Sequence, residues 1–280
     1  MNNVNSNDAN STLIALAIAE DLADRGDITA QALIGTDEMG SFAFRARKRG
    51  IVSGIEIAAQ TLVTFDQSIV VKWNLNDGDV CEVGADIGTV SGPLRSILSA
   101  ERTTLNFLQH LSGVATLTRI FVDELAKINS TTIIRDTRKT LPGYRMLEKR
   151  AVVHGGGHNH RMGLYDSFLV KDNHLVGTQL AGAVDKCREY DPKVPLEVEV
   201  DTLEQLNMVL QHRPDLVMLD NFSVEDVMEA RRRAPMTDFE VSGGVTFQNL
   251  KEYGATNVKY IAIGALTHSA PSLDIGLDAL

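Results

Sequence analysis

The sequence predicts an α/β protein in two parts, a small α+β domain followed by a parallel-stranded α/β barrel. Three observations predict it. Six short apolar runs beyond residue 131 alternate with amphipathic segments at intervals of about 20 to 35 residues, the rhythm of strand–helix units in a parallel sheet. No glycine fingerprint for a dinucleotide accompanies them, which favours a barrel over a doubly wound sheet. Before about residue 110 the texture differs, with short strands punctuated by Gly and Asp.

Taken in order, Leu13 to Leu22 reads as a helix, Phe42 to Ala46 and Ile69 to Leu75 as strands, and Asp77-Gly78-Asp79 as a tight turn. The longest periodic segment spans 99–127. Leu105, Leu108, Leu111, Val114, Leu117, Phe121 and Leu125 recur at helical spacing, as one amphipathic helix or as two broken near Gly113. The six strand-like runs are 132–135, 167–170, 196–200, 216–219, 239–241 and 260–263, with helical segments near 174–190, 202–212, 223–234 and 246–253.

Bulk properties narrow the function. The chain has 280 residues, 27 Lys+Arg against 37 Asp+Glu, a net charge of −10 and 44% apolar residues, enough to bury a large core. So acidic a chain is not expected to bind nucleic acid or an anionic membrane. Cys81 and Cys187 cannot form a disulfide framework or a zinc knuckle, and read as inert thiols in a reducing compartment. Met1 to Ser11 is polar, lacks the pattern of a signal peptide and is expected to fray. With no stretch approaching the roughly 18 apolar residues of a membrane span, the expected location is cytoplasmic.

Chemistry in such barrels sits at the C-terminal strand ends. Here those ends read Asp136-Thr137-Arg138-Lys139-Thr140, Lys171-Asp172-Asn173-His174, Glu197/Glu199 with Asp201, Asp220-Asn221, Ser242-Gly243-Gly244 and Gly264-Ala265. Every one carries charge or glycine. Glu197 and Glu199 are two apart and share one strand face, opposite Leu196, Val198 and Val200. Buried carboxylates need cations. Either an internal salt bridge supplies them, or Glu199 joins Asp220 on the next strand as a Mg²⁺ or ribose-hydroxyl site. Arg138, Lys139, His160, Arg161 and Lys171 concentrate positive charge at the same ends, beside the glycine-rich stretch Gly155 to Arg161, and read as a pocket for a small polyanion. His158 reads as a turn residue. The glycines of the last two ends expose amide groups suited to phosphate.

Three stretches together resemble the quinolinate phosphoribosyltransferases: Glu101 to Gln109 with Ser112-Gly113, Asp136 to Thr140 with Pro142-Gly143, and Gly155 to Arg161 followed by Lys171 to His174. Glu197/Glu199, Leu219-Asp220-Asn221, Ser242-Gly243-Gly244 and Gly264 to Thr267 extend the likeness over nearly the whole chain. The resemblance implies an N-terminal α/β sandwich over 1–110, rejoined by 270–280, and an open, incomplete barrel of the type II phosphoribosyltransferase kind over 111–269. It implies transfer from phosphoribosyl pyrophosphate to quinolinate with decarboxylation, giving nicotinate mononucleotide, pyrophosphate and CO₂ in NAD biosynthesis, with Mg²⁺.

By the same resemblance, Arg102, Thr137, Arg138, Lys139, His160, Arg161 and Lys171 line the quinolinate pocket. Lys139, Lys171, Glu199 and Asp220 are the catalytic set, with Glu199 and Asp220 on the metal side. Ser242, Gly243, Gly244, Ile263, Gly264 and Ala265 cradle the ribose phosphate. It also implies a homodimer or higher homo-oligomer, with Arg102 donated across the interface. Leu141, and Val153-His154 before the glycines, depart from the expected pattern. Three alternatives stand beside this reading: a sister phosphoribosyltransferase acting on another aromatic acid, a Schiff-base lyase using Lys171, and a non-catalytic sensor of phosphorylated metabolites.

Overall fold

The structure, a computed structural model, describes residues 6–128, 130–171, 174 and 180–280. The chain forms two compact units. One comprises Met1–Leu117, Leu141–Gly156 and Ser269–Leu280, and the other Thr118–Thr140 and Gly157–His268.

In chain order the first unit begins with α1 (Ser6–Leu22), α2 (Ile28–Leu33), β1 (Met39–Ala46), β2 (Gly50–Ile51), α3 (Ile55–Phe65), β3 (Val70–Trp73), β4 (Val80–Cys81), β5 (Asp86–Pro93) and α4 (Leu94–Ala126), whose residues from Thr118 onward belong to the second unit. After β6 (Ile133–Arg135), α5 (Arg145–His154) belongs again to the first unit. The second unit continues with β7 (Phe168–Val170), α6 (Leu180–Tyr190), β8 (Leu196–Val200), α7 (Leu203–Leu210), β9 (Leu216–Asp220), α8 (Val224–Arg233), β10 (Phe239–Ser242), α9 (Leu250–Ala255), β11 (Tyr260–Ala262) and α10 (Ala265–His268). The C-terminal β12 (Ile275–Ala279) returns to the first unit.

The first unit is built on an antiparallel sheet of order β12-β1-β5-β3, with Ile275 registered against Ala46. Its core gathers Phe44, Ile87 and Val90 from the sheet, Ala58 and Leu62 from α3, and Leu105 and Leu108 from α4. The polar N-terminal stretch is helical from Ser6 rather than frayed through Ser11. Burial of Ile14 anchors it, Asn10 is buried beside it, and Ser11 Oγ accepts a hydrogen bond of 3.0 Å from Gln60. α4 is a single helix through Gly113. A Cβ at that position would lie 2.2 Å from the Pro271 carbonyl oxygen, so the glycine admits a passing backbone and marks no break. α5 joins this unit through polar contacts: Glu148, wholly buried, takes His110 Nε2 at 2.8 Å and the Leu141 amide at 3.1 Å.

The second unit is a parallel sheet of order β6-β11-β10-β9-β8-β7. β6 and β7 are its two edges, so the barrel is open; a single bridge from His158 to Arg135 extends the β6 edge. All six strands coincide with the apolar runs of the sequence to within about one residue. On β8, Leu196, Val198 and Val200 are wholly buried, and Glu197 on the opposite face is 4% exposed. Parallel barrel strands are ordinarily apolar on both faces. Charge on the inner faces of β6, β8 and β10 therefore calls for a partner for each group.

Candidate active site

The strand ends of the second unit enclose a cavity of about 360 Å³, lined by Thr137, Arg138, Lys139, His160, Arg161, Leu169, Lys171, Met218, Asp220, Ser242 and Ala262. Eight of the residues singled out from the sequence are brought together there.

Local chemistry sets each of them. Behind β6 the chain turns sharply: the Lys139 amide donates to Thr137 Oγ1 at 3.0 Å and the Thr140 amide to the Arg138 carbonyl at 3.0 Å. Thr267 on α10 donates its hydroxyl to the Lys139 carbonyl at 2.8 Å, tying this loop to the last strand end. Asp220 ends β9 in register with Ser242 on β10. Asn221, held at a positive φ of 56°, donates its amide to the Ser242 carbonyl at 2.8 Å and its side chain to Asp220 Oδ2 at 2.7 Å. Gly243 and Gly244 follow with φ of +79° and +65°. At Gly243 a Cβ would come within 2.2 Å of Asn221 Oδ1, so glycine is required there on two counts. The two glycines lead into a turn, and α9 begins only at Leu250.

Glu199, Ile263, Gly264 and Ala265 adjoin residues of this lining. Glu199 is ion-paired with Lys171. Ile263 is buried, and its amide donates to the Arg135 carbonyl at 2.9 Å. A Cβ on Gly264 would meet Lys139 Cδ at 2.9 Å, and Ala265 opens α10. Arg102 lies in the first unit, exposed on α4. Asp172 and Asn173 fall outside the described residues, whereas the Lys171 amide donates to His174 Nδ1 at 3.0 Å.

The electrostatics suit an anion. Arg138 Nε and Arg161 Nε are both buried without a hydrogen-bond partner. Burial, reinforced by the neighbouring Arg138 guanidinium, pulls the Arg161 pKa below its ordinary value. Two guanidiniums held together with donors to spare make a receptor for carboxylate or phosphate.

Beneath the cavity is a group that sequence reasoning did not assemble. His160 Nε2 lies 2.9 Å from Glu197 Oε2 and 3.2 Å from Glu240 Oε1, and Glu240 Oε2 takes Arg135 Nη1 at 2.7 Å. Glu197 is thus an internal ion-pair carboxylate, while Glu199, two residues on, stands nearer the strand end. Burial alone would lower the His160 pKa, but the hydrogen bonds and charges of Glu197 and Glu240 push it up to about 9. Burial and the Glu240 charge raise Glu197 in turn. The Arg161 amide donates to His160 Nδ1, so the ring carries its hydrogen on Nε2; with Arg135 positive, one further proton, held by the His160–Glu197 pair on its carboxyl side, leaves the cluster neutral. His160, Glu197 and Glu240 also have the donor atoms of a metal site, within 4.8 Å of one another, but Arg135 already supplies the compensating charge. Glu240 carries a sequence signal comparable to that of Glu197, a lone carboxylate inside the apolar run Phe239 to Val241.

An open α/β barrel with paired arginines, strand-end carboxylates and a Gly-Gly turn at its mouth defines a phosphoribosyltransferase-like architecture. Comparison with known proteins gives the family. Residues 114–278 match the model "Quinolinate phosphoribosyl transferase, C-terminal domain" and residues 27–112 its N-terminal counterpart. The chain is 42% identical over 278 residues to the nicotinate-nucleotide pyrophosphorylase [carboxylating] of Mycobacterium leprae, covering 97% of each. It is 38% identical over 286 residues to quinolinate phosphoribosyltransferase [decarboxylating] 2, mitochondrial, of Nicotiana glauca, covering 95% of this chain and 80% of the other. The solved nicotinate-nucleotide pyrophosphorylase of Francisella tularensis superposes with a TM-score of 0.93 at 38% identity, over 99% of this chain and 98% of that one. The chain belongs to the quinolinate phosphoribosyl transferase family. No helix among the described residues is long and apolar enough to cross a membrane.

Proposed function

We propose that the protein transfers the phosphoribosyl group of phosphoribosyl pyrophosphate to quinolinate with decarboxylation, forming nicotinate mononucleotide, pyrophosphate and CO₂ for NAD biosynthesis. The observation that carries this reading is the pairing of Arg138 and Arg161, each with a buried unpartnered Nε, in a cavity shared with Lys171, Asp220 and Ser242. A dicarboxylate acceptor and a polyphosphate donor are the two kinds of anion this lining accommodates side by side.

Each step follows from that lining. The arginines grip the quinolinate carboxylates and aim its ring nitrogen at the ribose C1, an orientation effect. The nitrogen–C1 bond forms as the bond from C1 to the pyrophosphate oxygen breaks. Positive charge developing at C1 is stabilised by the carboxylate of Asp220 or Glu199, and departing pyrophosphate by Lys139 and Lys171. When the adjacent carboxylate leaves as CO₂ its electron pair stays on the ring carbon, where the positive charge of the now quaternary ring nitrogen stabilises it. A proton then fills the vacated ring carbon. No protein nucleophile is needed, and Lys171, ion-paired to Glu199, is poorly suited to be one.

Asp220 and Glu199 are hard oxygen donors on neighbouring strands and would hold Mg²⁺ accompanying phosphoribosyl pyrophosphate. The metal would neutralise the leaving group. We place Arg102 of a second copy in the quinolinate pocket, and the active form as a cytoplasmic homodimer or larger homo-oligomer. The exposed guanidinium on α4 and the absence of an apolar spanning helix among the described residues accord with this.

The test is a comparison of substrate constants. Arg138→Ala and Arg161→Ala are expected to raise KM for quinolinate at least about tenfold, the loss of a charge-assisted hydrogen bond, with a much smaller change for phosphoribosyl pyrophosphate. Equal changes for both substrates would contradict the pocket assignment.

A further inference from the structure

His160 lines the cavity, yet both of its ring nitrogens are committed inside the protein. Nδ1 accepts the Arg161 amide at 2.7 Å, and Nε2 faces the carboxylates of Glu197 and Glu240. The ring has no nitrogen left to offer a substrate carboxylate. Its neighbours are pinned in the same way. Asp136, wholly buried, accepts the His160 amide on Oδ1 at 2.9 Å. Arg135 Nε and Nη2 donate to the Asn159 carbonyl at 3.3 and 3.2 Å, and the same guanidinium holds Glu240.

Residues 159–161 are therefore fastened to the strands at four points. β6 supplies Arg135 and, just beyond it, Asp136; β8 supplies Glu197 and β10 supplies Glu240. The segment ends at Arg161, whose guanidinium reaches the Ser167 carbonyl at 3.2 Å and lines the active-site cavity. It also borders a second cavity of about 350 Å³ toward the opposite strand ends, lined by Pro195, Leu196, Asp215 and Lys259. With space on both sides, packing alone does not define where Arg161 points.

Four charged or polar side chains inside a barrel are an expensive way to make a core, because apolar residues of similar volume stabilise as well or better. What such a network supplies is a fixed geometry. We propose that Glu197 and Glu240 are positioning residues: they lock the His160 ring, which through its Nδ1 sets the Arg161 backbone and so aims the Arg161 guanidinium at the acceptor carboxylate. His160 then acts through Arg161 and makes no polar contact with substrate through its ring nitrogens. This inference rests on the assignment of Arg161 to the quinolinate pocket.

The experiment is a double-mutant cycle on quinolinate KM, with Glu197→Gln and Glu240→Gln each made in the parent and in Arg161→Ala. Glutamine keeps the shape and removes the charge. In the parent, either change is expected to raise quinolinate KM about tenfold or more, the scale of a misplaced binding group. KM for phosphoribosyl pyrophosphate should hold within about twofold, inside the error of independent effects. In the Arg161→Ala background the same changes should have no further effect on quinolinate KM. Additive effects in the two backgrounds would overturn the proposal, as would parent constants left unchanged.

If Glu240→Gln alone strands Arg135 and fails to fold, Arg135→Met/Glu240→Gln removes the pair without leaving an orphan charge and carries the same expectation. Should the parent enzyme not turn over quinolinate, the functional reading fails by itself. The inference is then read from the crystal structure of Glu197→Gln: a displaced Arg161 side chain supports it, and an unmoved one overturns it.

Discussion

His160 Nε2 stands 2.9 Å from Glu197 Oε2 in the interior of the barrel, with both side chains almost wholly buried. A contact of this kind binds a proton more tightly in the folded chain than in the unfolded one, and so gives stability a pH dependence.

The sign follows from the raised proton affinity of the His160–Glu197 pair, which keeps its one extra proton up to about pH 9 when folded, against 6.5 for an unfolded imidazole. The stabilisation is fully present below pH 6.5 and is lost as pH rises through 9. Glu197 is also raised, so its contribution has the same sign. Because the two groups share one proton their shifts do not add, and the loss over this window is on the order of 3 kcal/mol at 1.36 kcal/mol per pH unit. Thermal melts between pH 6 and 10 should show a falling Tm over this window, and the fall should shrink in His160→Gln. A Tm independent of pH across the window would contradict the cluster.

Gly243 and Gly244 are expected to behave differently on substitution. Gly243→Ala combines a positive φ with a 2.2 Å approach to Asn221 Oδ1 and 3.0 Å to Asp220 Oδ1, so it must displace the residues that hold the β9 end. Its KM for phosphoribosyl pyrophosphate should rise at least about tenfold, a loss near 1.4 kcal/mol. Gly244→Ala meets nothing within 4 Å and is expected to cost only about 1 kcal/mol of backbone strain. Steady-state kinetics and melts of the pair check this; reversed effects would rule it out.

Gly113→Ala improves helix propensity yet should destabilise the protein, because the new methyl would sit 2.2 Å from the Pro271 carbonyl oxygen. We expect about 1 to 3 kcal/mol of destabilisation, the range for overpacking. Chemical denaturation with an unchanged midpoint would refute the close-approach explanation.

Asp220→Asn keeps the hydrogen-bonding shape beside Asn221 but removes a negative charge. If Asp220 serves the Mg²⁺ side, the variant should need more Mg²⁺ for half-maximal rate and lose about 10²-fold in kcat/KM for phosphoribosyl pyrophosphate, as for other groups that stabilise transition-state charge. A Mg²⁺ titration curve that superposes on the parent's would remove Asp220 from the metal.

Much of the fold was legible because its signals are local. The runs around Ile134, Leu169, Val198, Met218, Val241 and Ile261 are apolar, short and regularly spaced, and all six are strands. α5 was not legible. Its ten residues include Arg145, Glu148, Lys149 and Arg150, so no apolar stripe announces it, and its partners His110 and Leu141 lie outside it. The polar N-terminus suggested fraying because composition does not reveal that Gln60 awaits Ser11. Near Gly113 the sequence allowed one helix or two, since a glycine that breaks a helix and one that admits a neighbour look alike.

In the site, the concentration of Arg138, Arg161, Lys171 and Asp220 at strand ends was readable from spacing. The partition of Glu197 from Glu199 was not. Alternation places both on one face, and only the strand order, which brings β10 and its Glu240 toward His160, shows which carboxylate is turned inward to an ion pair.

The central claim is tested most directly by supplying the purified protein with phosphoribosyl pyrophosphate, Mg²⁺ and either quinolinate or nicotinate, and measuring nucleotide and CO₂. Nicotinate mononucleotide and CO₂ in equal amounts from quinolinate, with no product from nicotinate, is the predicted result. Turnover of nicotinate instead, or no product from either acceptor by the folded protein, would contradict it.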